Sequence, residues 1–220
     1  MTETLFSPRI IEPKDWATFL FVLSLLLIAV TKTAFETRFN DFLKILVSDK
    51  YIKVYKDSSH LMSGFTILLF IVQAISFSFF IQILLNHFGY TSKYDWIIYI
   101  RIFTFFSVFV LSKFLIEKIV AVTFNIEEFT EQFNLQKVSY RTFIALLLLP
   151  VNIYLFYNNS SDLLIYCSIA VILIINLLTY LISLRNYQNL FVGNFFYFIL
   201  YLCALEIAPY YFIYYLITKI

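Results

Sequence analysis

The chain has 220 residues, 61% of them hydrophobic and only 14% charged, with a formal net charge of +2 and a mean hydropathy of +0.84. A soluble domain carries about 25% charged and about 45–50% apolar residues, so this composition excludes an ordinary water-soluble domain and indicates a polytopic membrane protein whose first partner is the lipid bilayer. A balance so close to neutral offers no basic face for nucleic acid.

At about 20 residues per span plus loops, the length holds roughly six helices. The expected fold is all-α: one polytopic membrane domain over residues 1–220, a bundle of about six transmembrane helices with cytoplasmic amphipathic segments. The first span is predicted over about residues 16–31, "WATFLFVLSLLLIAVT", after Pro13 and Asp15, which suit a helix start. No small-residue cleavage site follows it, so it reads as a retained span and not a signal peptide. Lys32 is placed to snorkel from its end.

Residues 33–56 form the first amphipathic segment. Phe35, Phe39, Phe42, Leu43 and Leu46 share one helical face, with Glu36, Arg38, Asp41, Lys44 and Asp49 largely on the others. This segment, Arg38 included, is the expected docking surface for the membrane interface or for a protein partner.

Span 2 is predicted over about 61–85 and span 3 over about 96–115. The helical pattern of span 3 continues beyond the membrane as a second amphipathic segment, 113–134. Span 4 covers about 141–157 with Pro150 near its middle, span 5 about 163–182 and span 6 about 194–217. Loops after spans 1, 3 and 5 hold eleven Lys and Arg residues against four on the opposite side. The positive-inside rule then places both termini in the periplasm and the amphipathic segments in the cytoplasm.

The sharpest feature is an intramembrane carboxylate, Glu206, in "CALEIAPYYFIYYL". Such an acid is costly in lipid and faces a partner or a water-filled path. Arg101, in span 3, is the candidate partner. Their Cα depths differ by roughly 9 Å at 1.5 Å rise per residue. The pair reads either as a structural ion pair fixing the bundle or as part of a proton or ion relay. Pro209 disrupts the ladder near Glu206 and reads as a bend around neighbours or as a hinge beside a polar pocket. Tyr210, Tyr211, Tyr214 and Tyr215 read as an aromatic belt. Gln73, Asn152 and Asn176 are candidates for interhelical hydrogen bonds.

Cys167 and Cys203 lie in apolar runs and read as small hydrophobes. His60 and His87 stand at opposite ends of span 2, so they cannot share a metal; no metal or cofactor is expected. The sequence carries no HExxH, GxSxG or phosphate-cradling glycine loop, so no enzyme activity is expected. Its three glycines, Gly64, Gly89 and Gly193, all lie near span ends. Carriers commonly use glycine- or proline-broken helices at mid-membrane.

The stretches "ETRFNDFLKILVSDKY", "KIVAVTFNIEEF", "ALLLLPVNIYLFY" and "FFYFILYLCALEIAPYYFIYYL" resemble, in sequence and order, a family of integral membrane proteins from Bacteroidota, domain-of-unknown-function family 4271. The most specific element, "LYLCALEIxP", stands here as Leu200 to Pro209. Arg38, Phe39, Phe42 and Leu43 match its early "RFNxFL" element. The resemblance implies an inner-membrane location in Bacteroidota and carries over no activity. From that lineage follows the expected role, a non-enzymatic membrane subunit or assembly factor of an envelope machine such as type IX secretion and its gliding motor. The alternative is a proton-coupled carrier or a flippase for a lipid-linked substrate, with Glu206 as the protonatable group.

Overall fold

A computed structural model describes residues 14–45, 50–55, 63–123, 127–158 and 162–186, and within them all regular structure is helical. The helices are α1 (Asp15–Ala34), α2 (Glu36–Leu43), α3 (Lys50–Val54), α4 (Gly64–His87), α5 (Trp96–Thr123), α6 (Glu127–Tyr157) and α7 (Asp162–Asn186). Three stretches, Asp15–Ala34, Gly64–His87 and Phe133–Tyr157, are long and apolar enough to cross a bilayer. Asp162–Leu177 is a shorter apolar stretch. α5 is longer than any of these three stretches, but Arg101, Lys113, Glu117 and Lys118 interrupt its apolar run.

α4 is the central element, in contact with α1, α5 and α6, while α6 also reaches α3, α5 and α7. The sequence of α4 explains its place. It is apolar all round, the mark of a helix with no solvent face. Five consecutive residues, Val72 to Ser76, are buried. Ala74, Ser76 and Ser78 are small enough to let neighbouring backbones approach.

Two apolar clusters flank the middle of α4. The first gathers Phe21 of α1, Ile75, Phe79 and Ile83 of α4, Tyr99 of α5, and Leu155 and Phe156 of α6. The second gathers Phe39 and Phe42 of α2, Tyr51 and Ile52 of α3, Phe65 and Leu69 of α4, and Leu135 and Tyr140 of α6.

The first amphipathic segment does not run as one helix. Residues 33–56 break at Phe35, whose φ of −133° and ψ of 48° end α1 and open α2. They break again at the turn of Lys44 and Ile45. Of the second segment, residues 113–123 belong to the end of α5 and residues 127–134 to the start of α6. The Thr123 hydroxyl donates to the Ile119 carbonyl at 2.8 Å, a back-bond that competes with the backbone ladder at a helix end.

The α4–α5 connection is tightly specified. Gly89, at φ +77°, follows the last turn of α4. Its N–H donates to Asn86 O at 3.1 Å, and Tyr90 N–H donates to Leu85 O at 3.0 Å. This paired pattern closes a helix with glycine in the left-handed region. Asp95 then caps α5, its Oδ1 accepting from Ile97 N–H at 2.9 Å and Ile98 N–H at 3.4 Å. A Cβ on Gly89 would meet nothing within 4 Å, so the cost of Gly89→Ala is conformational alone. We expect about 1–2 kcal/mol of destabilisation, read as a lower midpoint of thermal unfolding in detergent.

The same end of the bundle is tied across the chain. Gln82 Nε2 donates to Asp95 O at 2.8 Å, Trp16 Nε1 donates to Tyr94 O at 3.3 Å, and Lys93 Nζ donates to Asn158 O at 3.2 Å. His87 Nδ1 lies 3.5 Å from Asp162 Oδ1 at the start of α7.

Candidate functional site

Between the two apolar clusters runs a polar seam joining α4 to α6. Gln73 points from α4, where its Oε1 accepts from the Thr142 hydroxyl at 2.9 Å. One turn on, the Ser76 hydroxyl donates to the Ala145 carbonyl at 2.8 Å. Asn152 Nδ2 donates back to the Ser76 carbonyl at 2.7 Å and lies 3.3 Å from its Oγ. All four side chains are buried. Away from water, a polar group keeps its position only when hydrogen-bonded, so these contacts lock the register of α4 against α6. Asn176, the third amide singled out in the sequence, is on the exposed side of α7, and its Nδ2 donates to the Ile172 carbonyl of its own helix at 2.9 Å.

A second polar constellation holds α5 to α6. The Glu117 carboxylate is 2% exposed and accepts from Lys137 Nζ at 2.8 Å, with Lys113 Nζ at 4.0 Å. Lys137 also lies over the Phe133 ring, 5.5 Å from its centroid. Sequence reading counts Lys113 and Lys137 as loop charges, whereas both turn inward. The signal lay in the spacing. Lys113 and Glu117 are four apart and so share one face of a helix whose only other charges are Arg101 and Lys118.

The amphipathic face of residues 33–56 is covered by the chain's own helices. Phe39 and Phe42 are buried in the second apolar cluster, and Phe35 meets Phe65 edge-on at 5.9 Å. For Phe39, Phe42 and Arg38, burial replaces the reading as an external docking surface. The periodicity marks an apolar face and is silent on what covers it. Leu43 is exposed, and Leu46 lies outside the described residues.

Arg38 is buried beside this face. It donates from Nη1 to Ser63 Oγ at 2.6 Å and from Nη2 to Thr66 Oγ1 at 3.4 Å. Its guanidinium lies over the rings of Phe65 at 4.5 Å and Tyr55 at 4.9 Å. Such stacking suits a planar, weakly hydrated cation. Burial pushes the Tyr51 phenol above its ordinary pKa, and Arg38 beside it pulls the other way. A cavity of about 10 Å³ opens nearby between Phe42, Tyr51, Thr66, Leu135, Ser139 and Thr142, room for one water at most.

Arg101 is exposed on α5. Glu206, Pro209, Tyr210, Tyr211, Tyr214 and Tyr215 lie outside the described residues. Among the described residues no three His, Cys, Asp or Glu side chains gather as metal ligands.

A family model described as "Domain of unknown function (DUF4271)" matches residues 17–217. No curated protein and no solved structure matches the chain.

Proposed function

Since the chain belongs to the DUF4271 family, which spans nearly all of it, its role is argued from its own residues, and we propose that it is a non-enzymatic subunit or assembly factor of a membrane complex. In this reading six helices cross a bacterial inner membrane, with both termini in the periplasm. The machine it serves is an envelope apparatus of the type IX secretion and gliding class, which the lineage of the resembling family suggests.

The observation that carries the reading is where the polar and apolar groups stand. Thr142 bonds Gln73, Ser76 bonds the Ala145 carbonyl and Asn152 bonds the Ser76 carbonyl between α4 and α6, as a packing lock does. Apolar side chains are turned outward along α1 and α7, with Phe19, Val22, Leu163 and Leu173 all more than half exposed. Faces of this kind suit lipid and the apolar helices of a partner alike.

The test is co-purification of the tagged chain, expressed at its natural level and extracted in mild detergent, with bound proteins identified by mass spectrometry. A stoichiometric membrane partner is the expected result. A monomer or homodimer that carries lipid alone would overturn the reading in favour of a carrier or flippase.

A further inference from the structure

α5 has two unlike sides. Outward runs an exposed apolar stripe, Phe105, Val108, Leu115 and Ile119, at the three- and four-residue steps of one helix face. Inward, Lys113 and Glu117 are buried, and Glu117 meets Lys137 of α6. α5 and α6 are antiparallel: Glu117 stands against Lys137, while Tyr99, near the start of α5, shares an apolar cluster with Phe156, near the end of α6. Arg141 follows Lys137 by one turn on the same side of α6. In the antiparallel register it stands at the level of Lys113. Arg141 is half-buried and has no hydrogen-bond or ion-pair partner among the described residues.

Against Lys113, Lys137 and Arg141 the described helices set one carboxylate at this level. Glu117 is the only acid of α5, and α4 has none. Asp15 of α1 and Asp162 of α7 stand at the opposite end of the bundle, beside Trp16 and His87. α2, with Glu36 and Asp41, meets α6 on the side of Phe143, away from Lys137. On α6 itself, Glu131 lies about 9 Å before Lys137 along the axis and on another face. The α5–α6 contact therefore carries an excess of two positive charges. Cations inside a membrane bundle are costly and call for an anion. Depth indicates its kind. The uncharged run of α6 begins at Thr142 and rises about 24 Å to Tyr157, so Arg141 marks its edge, near headgroup level. The Cβ of Arg141 leans toward the helix N-terminus, away from that run.

We propose that Arg141, Lys137 and Lys113 bind a phosphate group between α5 and α6, with Glu117 holding the two lysines in place. A guanidinium presents paired donors that match phosphate oxygens, and the ammonium groups add point charges. Basic pockets between membrane helices hold lipid phosphates in this way. An anionic lipid headgroup and free phosphate offer the same chemistry, and experiment separates them. The site stands whether the chain is a subunit or a carrier.

The test uses the full chain in an uncharged detergent. Its unfolding midpoint is followed against added phosphatidylglycerol, phosphatidylcholine, or inorganic phosphate at constant ionic strength. A saturable rise with phosphatidylglycerol, absent with phosphatidylcholine, is the expected result, because a ligand of the folded state raises the midpoint. Arg141→Gln should weaken that apparent affinity by about tenfold or more, through loss of charged hydrogen bonds. Arg141→Lys should weaken it less, since the charge stays. Arg101→Gln, at the other end of α5, should leave it unchanged. Because Arg141 gives up no described contact, its variants should match the parent midpoint without lipid. If Arg141→Gln does not fold, Arg141→Lys carries the comparison. An equal response to inorganic phosphate alone, lost in the Arg141 variants, would support the site and assign it to free phosphate. No response to either anion, a response that the Arg141 variants leave intact, or equal weakening by Arg101→Gln would overturn it.

Discussion

Phe79→Ala is expected to destabilise the bundle by about 3–5 kcal/mol, the range for emptying a fully buried aromatic site. Phe79 is wholly buried, and rings from three other helices close on it. Phe21 of α1 stacks at 4.2 Å, Tyr99 of α5 lies at 4.5 Å, and Phe156 of α6 meets it edge-on at 5.7 Å. Between membrane helices, association depends on this close contact more than on expulsion of water. A void at the one point where α1, α4, α5 and α6 converge therefore removes contacts from all four at once. Trp16 stacks on the same ring at 5.7 Å and serves as the fluorescent reporter of unfolding in detergent. Phe79→Leu, which keeps most of the volume, should cost under about 1.5 kcal/mol. If Phe79→Ala lowers the midpoint no more than Phe105→Ala on the exposed stripe, the convergence point carries no special weight.

The second large effect is expected at Glu117. Glu117→Gln removes the buried carboxylate charge that Lys137 meets at 2.8 Å and Lys113 at 4.0 Å, and Lys113 is itself only 6% exposed. Breaking a buried ion pair from one side costs about 3–5 kcal/mol, whereas replacing all its members by apolar residues is often neutral. The triple variant Glu117→Leu, Lys113→Leu, Lys137→Met should accordingly unfold close to the parent, well above Glu117→Gln. Equal losses in the single and triple variants would mean that packing volume, and not charge, holds α5 to α6 at this point.

The helical class and the long apolar stretches are legible in the sequence because both follow from local properties: run length, scarcity of charge and near absence of glycine. α4 illustrates the limit of that reading. Its hydropathy marks a span, but its lack of periodicity points to no particular neighbour. The pairing of Gln73 with Thr142 and of Ser76 with Asn152 depends on the register between two helices far apart in the chain. The inward turn of Lys113 and Lys137 was hidden for a related reason. A charge just past an apolar run has the same local signature whether it meets water or a carboxylate on the next helix. The face of Phe39 and Phe42 was plain as a face, but its cover, α4 and α6, comes from tertiary structure alone. Arg38 was grouped with the polar side of α2, while the fold places it against the Phe65 and Tyr55 rings.

The seam between α4 and α6 joins segments that are synthesised at different times. Ser76 and its acceptor on α6 are 69 residues apart in the chain, and Ser76 and Asn152 are 76 apart. At about 5–20 residues per second of synthesis, α4 exists for roughly 4–15 s before those partners have been made. Throughout that interval the Gln73 amide lacks its Thr142 partner, whereas the Ser78 hydroxyl already bonds the Ala74 carbonyl of its own helix at 2.7 Å. Slowing translation across residues 88–141 would lengthen the interval in which Gln73 stands without Thr142 and the Ser76 carbonyl without Asn152.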